Sequence, residues 1–282
     1  MMAKMKVRKG LSVGLALGGG AARGIAHIGV IQALEKHAVP IDALAGVSVG
    51  SVIAAGYAAG MSCDQLIEAA GSVSWKDLGS WSFSVKGFNS NDRLGEWLAT
   101  VLPCSRFEDL KIPLRVVASD LQKGEPVVLE KGDLFQAIRA SCAIPGLYVP
   151  VEIDGRLLAD GYLTCNLPIR QVRGIGMDVV LSSAIGLEIS SEVKLNNLYQ
   201  ILLRSFSIMS ASVQRGQFRE SDVVFRPQVE SYNWADMASA PVFIKAGFDA
   251  VQEKAKELQE ALDPSFWSRV NWNPWRRRRE SA

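Results

Sequence analysis

The chain has 282 residues, of which 48% are hydrophobic, so it can form one large α/β domain or two small ones around a sizeable core. The formal net charge is +2, and four of the positive charges form the run Arg276 to Arg279. Without that run the balance is −2, which excludes a nucleic-acid-binding surface on the body of the protein.

The cysteines and histidines are too scattered to suggest a metal site. The four cysteines show no C-x-x-C spacing and lie among apolar or small residues, which predicts buried free thiols in a reducing compartment. With only two histidines in the chain there is no ligand cluster, so we expect neither a metal nor another cofactor.

The N-terminal segment, residues 1–10, is basic and precedes the apolar run Leu11 to Leu17, an order that mimics a signal peptide. The apolar part ends after about seven residues, at the lower limit for such a segment. No apolar run reaches the 18 or so residues that span a bilayer. We therefore expect a cytoplasmic protein in which Leu11 to Leu17 is the first strand.

A glycine-rich loop, Gly18-Gly19-Gly20-Ala21-Ala22-Arg23-Gly24, follows this strand and opens a helix that ends near His37. The Walker pattern fails because Ile25 and Ala26 stand where Lys and Ser/Thr are required, and G-x-G-x-x-G fails because Arg23 takes its last place. What remains is a loop with glycine freedom in φ, free N–H groups and one cation. Such a loop suits an oxyanion better than a triphosphate.

The segment Gly46-Val47-Ser48-Val49-Gly50 has the G-x-S-x-G pattern of a nucleophile elbow. An apolar run from Ile41 precedes Ser48 and a small-residue run to Ala59 follows it, which predicts the order strand, sharp turn and helix. Side chains at Gly46 and Gly50 would clash in that turn. We therefore interpret Ser48 as a nucleophile, against the alternative of a tight Gly-Ser turn.

The general base is predicted to be a carboxylate. His27 and His37 both precede Ser48, whereas α/β-hydrolases and malonyl transferases, which also carry a G-x-S-x-G serine, place their histidine after it. His27 could approach the site from the loop, although a packing role is favoured. Asp154-Gly155 reads as a two-residue hairpin turn between strands, and Asp160-Gly161-Tyr162 follows the second strand. Turn chemistry alone would make both aspartates structural.

These motifs together resemble the patatin-like phospholipases, and most of all the bacterial esterases related to the neuropathy-target-esterase branch. The loop from Gly18 to Gly24 is similar to that family's G-G-G-x-[KR]-G with one extra small residue, and Gly46 to Gly50 matches its elbow. Asp160-Gly161-Tyr162 resembles the family's D-G-[GA] motif, departing only at the third place.

The resemblance implies a three-layer α/β/α fold with a mostly parallel central sheet over residues 11–262. It implies that Ser48 attacks a lipid carboxylic ester, such as a phospholipid or lysophospholipid, and that Asp160 accepts its proton. An acyl-enzyme would follow, with the oxyanion held by the loop residues Gly18, Gly19, Gly20, Ala21 and Arg23. The alternative is a regulatory or binding protein that keeps the fold and hydrolyses little.

Further elements are predicted along the chain. Trp81, Phe83 and Phe88, with Trp75 before them, belong either to a loop folded over the core or to an acyl-chain lid, which makes the first three candidate substrate contacts. Asp133 should cap a helix that reaches Ser141. We expect strands at Leu114–Leu121, Pro126–Leu129, Met177–Gly186 and Asp222–Pro227, and helices at Leu198–Met209 and Val242–Leu262.

The C-terminal tail, residues 263–282, carries Trp267, Trp272 and Trp275 just before the four arginines. Tryptophan beside arginine suits a lipid headgroup interface, whereas the arginines alone would predict a disordered basic tail. We favour a peripheral membrane contact here. The sequence predicts no oligomeric state.

Overall fold

A computed structural model describes residues 4–73, 80–84, 87–185, 201, 204–206, 208–210 and 216–263, with the backbone alone for 80–84 and 87–89. The strands are β1 Val13–Leu17, β2 Ala43–Val47, β3 Ser80–Ser84, β4 Gly87–Ser90, β5 Leu114–Asp120, β6 Glu125–Leu129, β7 Val151–Ile153, β8 Arg156–Asp160, β9 Val179–Ser183 and β10 Val223–Phe225. The helices are α1 Ala26–Lys36, α2 Val49–Ala58, α3 Cys63–Ser72, α4 Asp92–Val101, α5 Leu134–Ser141, α6 Ile169–Arg173, α7 Ala240–Glu253 and α8 Ala255–Leu262.

The central sheet is mixed and mostly parallel, as predicted. Strands β10, β9, β1, β2 and β5 lie side by side in parallel, while β6 and β8 pair antiparallel with β5, and β7 with β8. Every residue of β1, β2 and β9 is buried, which explains why these strands read as continuous apolar or small-residue runs.

Helices cover both faces of the sheet. Leu15 and Leu44 lie in the large core that includes side chains of α1, α2, α3 and α7. Their neighbours Ala16 and Ala45 pack on the opposite face against α6. Small residues on that face let α6 lie close to the strands, and the result is three layers.

Local turn and capping signals form as predicted. Asp154 and Gly155 both have positive φ, 50° and 72°, as a type I′ hairpin turn requires, and they join β7 to β8. The Asp133 side chain caps α5 by accepting a hydrogen bond from the Gln136 N–H at 2.9 Å.

Other elements differ from the prediction. The single helix expected over Val242–Leu262 is two helices, because Lys254 adopts φ −101° and ψ 10° between α7 and α8. Leu258 and Leu262 of α8 are nevertheless fully buried. Helices α3 and α4 and the β3–β4 hairpin were not predicted. Of the helix expected at 198–209, the described residues 201, 204–206 and 208–209 are helical, and the rest lies outside the described residues.

No helix in the described part of the chain combines the length and the apolar composition that crossing a bilayer requires.

Candidate active site

The site forms where two strands meet end to end along one edge of β5. Strand β6 pairs with one edge of β5, and both β2 and β8 pair with the opposite edge. On that edge, β2 lies beside the first half of β5 and β8 lies beside its last residues. Since β2 runs parallel and β8 antiparallel to β5, their carboxyl ends meet. Val47 lies opposite Val117, and Asp160 lies opposite the next residue, Ala118. Ser48, which follows Val47, is therefore brought beside Asp160.

Ser48 stands on a strained turn between β2 and α2. Its φ of 53° and ψ of −130° are rare for a residue with a side chain and cost about 1–3 kcal/mol. A β-carbon on Gly46 would lie 2.5 Å from the Gly50 carbonyl oxygen, and one on Gly50 would lie 2.4 Å from the Leu17 carbonyl oxygen. Close packing around the turn is thus the physical reason for both glycines.

Ser48 Oγ donates a hydrogen bond to Asp160 Oδ2 at 2.8 Å. The Asp160 carboxyl is buried and also accepts the Tyr162 N–H on Oδ1 at 2.9 Å. Burial raises the pKa of Asp160 to about 7, while the hydrogen bonds from Tyr162 and Ser48 oppose that rise. A carboxylate with a pKa near neutrality, within hydrogen-bond reach of a serine, can act as a general base.

The structure explains why the third residue of Asp160-Gly161-Tyr162 can vary. A β-carbon on Gly161 would come within 2.3 Å of the Val117 carbonyl oxygen, so only glycine fits beside β5. Tyr162 supports the carboxylate through its backbone N–H, which any residue except proline supplies. The departure from the family motif therefore leaves the contact with Asp160 intact.

Ser141 is a site residue that the sequence did not reveal. Its fully buried hydroxyl accepts the Ser48 N–H at 2.8 Å and donates to the Val117 carbonyl oxygen at 2.6 Å. It thereby ties the end of α5 to both the elbow and β5. A lone serine at a helix end carries no sequence signal for such a role.

The glycine-rich loop runs past Ser48, and some of its N–H groups are already engaged. The Gly18 N–H donates to the Ser183 carbonyl oxygen at 3.1 Å, and the Gly19 N–H donates to Asn166 Oδ1 at 2.9 Å. Among the described residues, no acceptor pairs with the N–H of Gly20 or of Ala21. These two are consequently the candidate oxyanion donors of the loop.

The expected glycine freedom in φ is wrong for this loop. Gly20 has an extended φ of 176°, and the residue with a positive φ is Ala21, at 49°. Space favours the glycines instead: a β-carbon on Gly20 would clash with Ile185 Cγ2 at 2.5 Å, and one on Gly19 would crowd Asn166 Oδ1 at 3.0 Å.

His27 supports the loop, and neither of the hydrogen bonds given for its ring involves Ser48. Burial lowers its pKa to about 4, so the ring is neutral at pH 7. Its Nε2 donates to the Gly18 carbonyl oxygen at 2.8 Å, and its Nδ1 therefore accepts from Ser183 Oγ at 2.9 Å. His37 lies away from the site and hydrogen-bonds Gln252 of α7.

Two cavities open from Ser48. The apolar cavity, of about 110 Å³, extends between α2, α3 and α4 and is lined by Val52, Ile53, Ala70, Val73, Leu94 and Trp97 among others. The mixed cavity, of about 130 Å³, is lined by Arg23, Asp160, Tyr162, Leu163, Phe206 and Trp234 among others. Both also touch Ala21 and Ile144.

Of the remaining predicted site residues, the structure describes the side chain of Arg23 but not those of the three aromatic residues. Arg23 lines the mixed cavity, and burial lowers the pKa of its guanidinium. The side chains of Trp81, Phe83 and Phe88 lie outside the described residues, as do Trp75 and the tail from residue 264 onward. Within the described ranges, no group of three or more His, Cys, Asp or Glu side chains could hold a metal ion.

The fold and the elbow place this chain among α/β proteins whose serine stands at a strand-to-helix turn. The family model for patatin-like phospholipases matches residues 15–173, more than half of the chain. The chain belongs to that family.

The chain is also similar to two relatives and, in fold, to one solved structure. An uncharacterized NTE family protein of Mycobacterium tuberculosis is 39% identical over 188 residues, which are 65% of this chain and 52% of that protein. Lysophospholipase nte1 of Aspergillus fumigatus is 31% identical over 183 residues, 63% of this chain and 12% of its own length. The chain thus spans about half of the mycobacterial relative. VipD from Legionella pneumophila shares the fold with a TM-score of 0.50 at 15% identity, over 92% of this chain and 70% of VipD.

Proposed function

We propose that the chain hydrolyses carboxylic esters of lipids, with Ser48 as the nucleophile and Asp160 as the general base. The observation that carries this proposal is the 2.8 Å hydrogen bond from Ser48 Oγ to Asp160 Oδ2, made at the end of the strained elbow. A nucleophile within hydrogen-bond reach of its base is the arrangement that acyl transfer through a covalent intermediate requires. Membership of the patatin-like phospholipase family supports the lipid substrate class.

In the first half of the reaction, Ser48 Oγ bonds to the ester carbonyl carbon and its proton passes to Asp160. The N–H groups of Gly20 and Ala21 then stabilise the oxyanion, and the N-terminal end of α2 adds a favourable dipole. When the carbon–oxygen bond breaks, the leaving alkoxide takes the proton from Asp160. In the second half, water gives a proton to Asp160 and its oxygen bonds to the acyl carbon. The bond from that carbon to Ser48 Oγ then breaks, the fatty acid leaves, and Asp160 returns the proton to Ser48 Oγ.

The pKa of Asp160 suits both of its roles. At about 7, the carboxyl is roughly half ionised at neutral pH, so it can accept a proton from Ser48 and return it to the leaving oxygen. An ordinary, exposed aspartate with a pKa near 4 would be a weaker base for the first of these steps.

The nucleophile is tested with a fluorophosphonate probe and mass spectrometry. Wild type should be labelled at Ser48 alone, and Ser48→Ala should lose labelling and hydrolysis together. Ser182→Ala is the matched control, because Ser182 is also buried but hydrogen-bonds Ser221 away from the elbow. Labelling that persists in Ser48→Ala would place the nucleophile elsewhere.

The substrate class is tested by measuring fatty acid released from lysophospholipid and diacyl phospholipid vesicles. Lysophospholipids are the first substrates to test, because the fungal relatives are named lysophospholipases. Release by wild type but not by Ser48→Ala supports a lipid ester hydrolase. If neither lipid nor a soluble p-nitrophenyl ester is cleaved, the regulatory or binding alternative is favoured.

A further inference from the structure

Ser48 lies between two cavities of similar size but different chemistry. We propose that the ester substrate crosses Ser48 with its acyl chain in the apolar cavity and its alcohol portion in the mixed cavity. This inference rests on the proposed hydrolase function and adds the orientation of the substrate, together with residues that set its specificity.

The position of the base gives the first argument. Asp160 lines the mixed cavity and not the apolar one. The same carboxyl has to take the proton from Ser48 Oγ and deliver it to the leaving alkoxide as the carbon–oxygen bond breaks. The leaving oxygen must therefore face Asp160, which directs the alcohol portion into the mixed cavity. The acyl chain, on the other side of the carbonyl carbon, is then directed into the apolar cavity.

The deacylation step requires the same orientation. The attacking water must give its proton to Asp160 while it bonds to the acyl carbon, so it has to enter from the side that the alcohol has just left. Ser48 Oγ recovers the proton as the fatty acid is released. An acyl chain in the mixed cavity would block this entry, whereas one in the apolar cavity leaves it open.

The chemistry of the two linings gives a second, independent argument. The apolar cavity is bounded largely by apolar side chains, including those of α2, α3 and α4. Its thiol, Cys142, is kept neutral because burial raises the pKa. Each methylene buried there contributes favourably to binding. The mixed cavity carries the Arg23 guanidinium and the Asp160 carboxyl, beside which an alkyl chain would desolvate charged groups.

The orientation predicts which substitution changes which specificity. Ala70 of α3 lines only the apolar cavity, and Leu163 lines only the mixed cavity; both side chains are half-buried, so larger residues can be accommodated. Ala70→Phe should shorten the acyl chain that is accepted. Leu163→Phe should reduce the size of alcohol that is accepted.

The experiment measures kcat/KM on two ester series for wild type, Ala70→Phe and Leu163→Phe. One series runs from p-nitrophenyl butyrate to p-nitrophenyl palmitate, and the other joins butyrate to alcohols of increasing size. Ala70→Phe should lower the palmitate-to-butyrate ratio about 10-fold or more and leave the order of the alcohol series unchanged. Leu163→Phe should lower kcat/KM for the largest alcohol relative to the smallest by about 10-fold or more, and it should leave the palmitate-to-butyrate ratio unchanged. Thermal melts and the milder Ala70→Leu variant control for folding.

Two outcomes would overturn the orientation: exchanged effects of the two variants, or two series that neither variant changes although both proteins fold. A wild type that cleaves no ester and takes no fluorophosphonate label would be a different failure, because it refutes the proposed function and the orientation falls with it.

Discussion

Replacing Asp160 with asparagine should remove the base and, at the same time, stabilise the folded protein at neutral and alkaline pH. Burial raises the pKa of this carboxyl from its ordinary value of 3.8 to about 7, which means that folding disfavours its charged form. Asparagine has nearly the same size and retains an oxygen that can accept the Tyr162 N–H, but it has no charge to desolvate.

The magnitude follows from the difference in proton binding between the two states. Between about pH 4 and pH 7, the unfolded chain has lost the Asp160 proton while the folded chain retains it. The free energy of unfolding of wild type therefore falls by about 1.4 kcal/mol per pH unit from this group. Because the pKa shifts by about three units, wild type loses about 4 kcal/mol of unfolding free energy in total. The Asp160→Asn variant has no carboxyl to ionise and does not lose it. Its advantage should be absent below about pH 4 and complete above about pH 7.

The assay is urea unfolding of both proteins at a series of pH values from about 4 to about 8, with ester hydrolysis followed at the same pH values. Activity of wild type should rise with pH through about 7, and that of Asp160→Asn should be lower by about 10²-fold or more. Asp154→Asn is the matched control, because the same exchange then falls on an exposed turn carboxyl. A difference in unfolding free energy between wild type and Asp160→Asn that does not change with pH would refute the argument.

Three other perturbations test the supporting contacts. Ser141→Ala should cost about 1–3 kcal/mol of stability, since it leaves the elbow N–H unpaired, and it should lower kcat more than it changes KM, whereas Ser182→Ala should affect stability alone. His27→Ala should lower the melting temperature, yet the midpoint of the pH–activity curve should stay near 7; a displaced midpoint would revive a histidine base. Truncation after Asp263 removes Arg276 to Arg279, each worth up to about 1 kcal/mol at an anionic surface, and should reduce liposome binding at low salt while sparing hydrolysis of a soluble ester. Equal sedimentation of full-length and truncated protein with anionic liposomes would contradict the membrane interpretation of the tail.

The parts of the fold that the sequence predicted are those encoded locally. The strand before Ser48 and the helix after it follow from an apolar run, two glycines and a run of small residues within a few positions. The type I′ turn at Asp154-Gly155 and the helix cap at Asp133 likewise depend on one or two side chains acting on adjacent backbone. Such features survive into the folded chain because tertiary contacts reinforce them.

The parts that could not be predicted depend on contacts between distant residues. Ser48 and Asp160 are 112 positions apart, and only the pairing of β2 and β8 with the same edge of β5 brings them together. Only the family resemblance distinguishes Asp160 from Asp154 in the sequence, since each is followed by a glycine at the end of a strand. Ser141 has no distinguishing sequence pattern, and only the tertiary structure shows that its hydroxyl accepts the Ser48 N–H. The sequence shows that Gly20 of the loop has no side chain, but it does not show that Ile185, far along the chain, leaves no room for one. The prediction of freedom in φ was wrong for that reason.

The register of β8 against β5 determines whether the Asp160 carboxyl can accept the hydrogen bond from Ser48 Oγ. Side chains alternate along a strand, so a slip of one residue would turn the carboxyl to the opposite face of the sheet. Three contacts oppose that slip. The turn at Asp154-Gly155 fixes β8 against β7, the Ser119 hydroxyl donates to the Asp160 carbonyl oxygen at 2.9 Å, and Gly161 lies where a β-carbon would come within 2.3 Å of a backbone oxygen of β5. The exposed turn at Asp154-Gly155 therefore helps to hold Asp160-Gly161 in the position that the proposed chemistry needs.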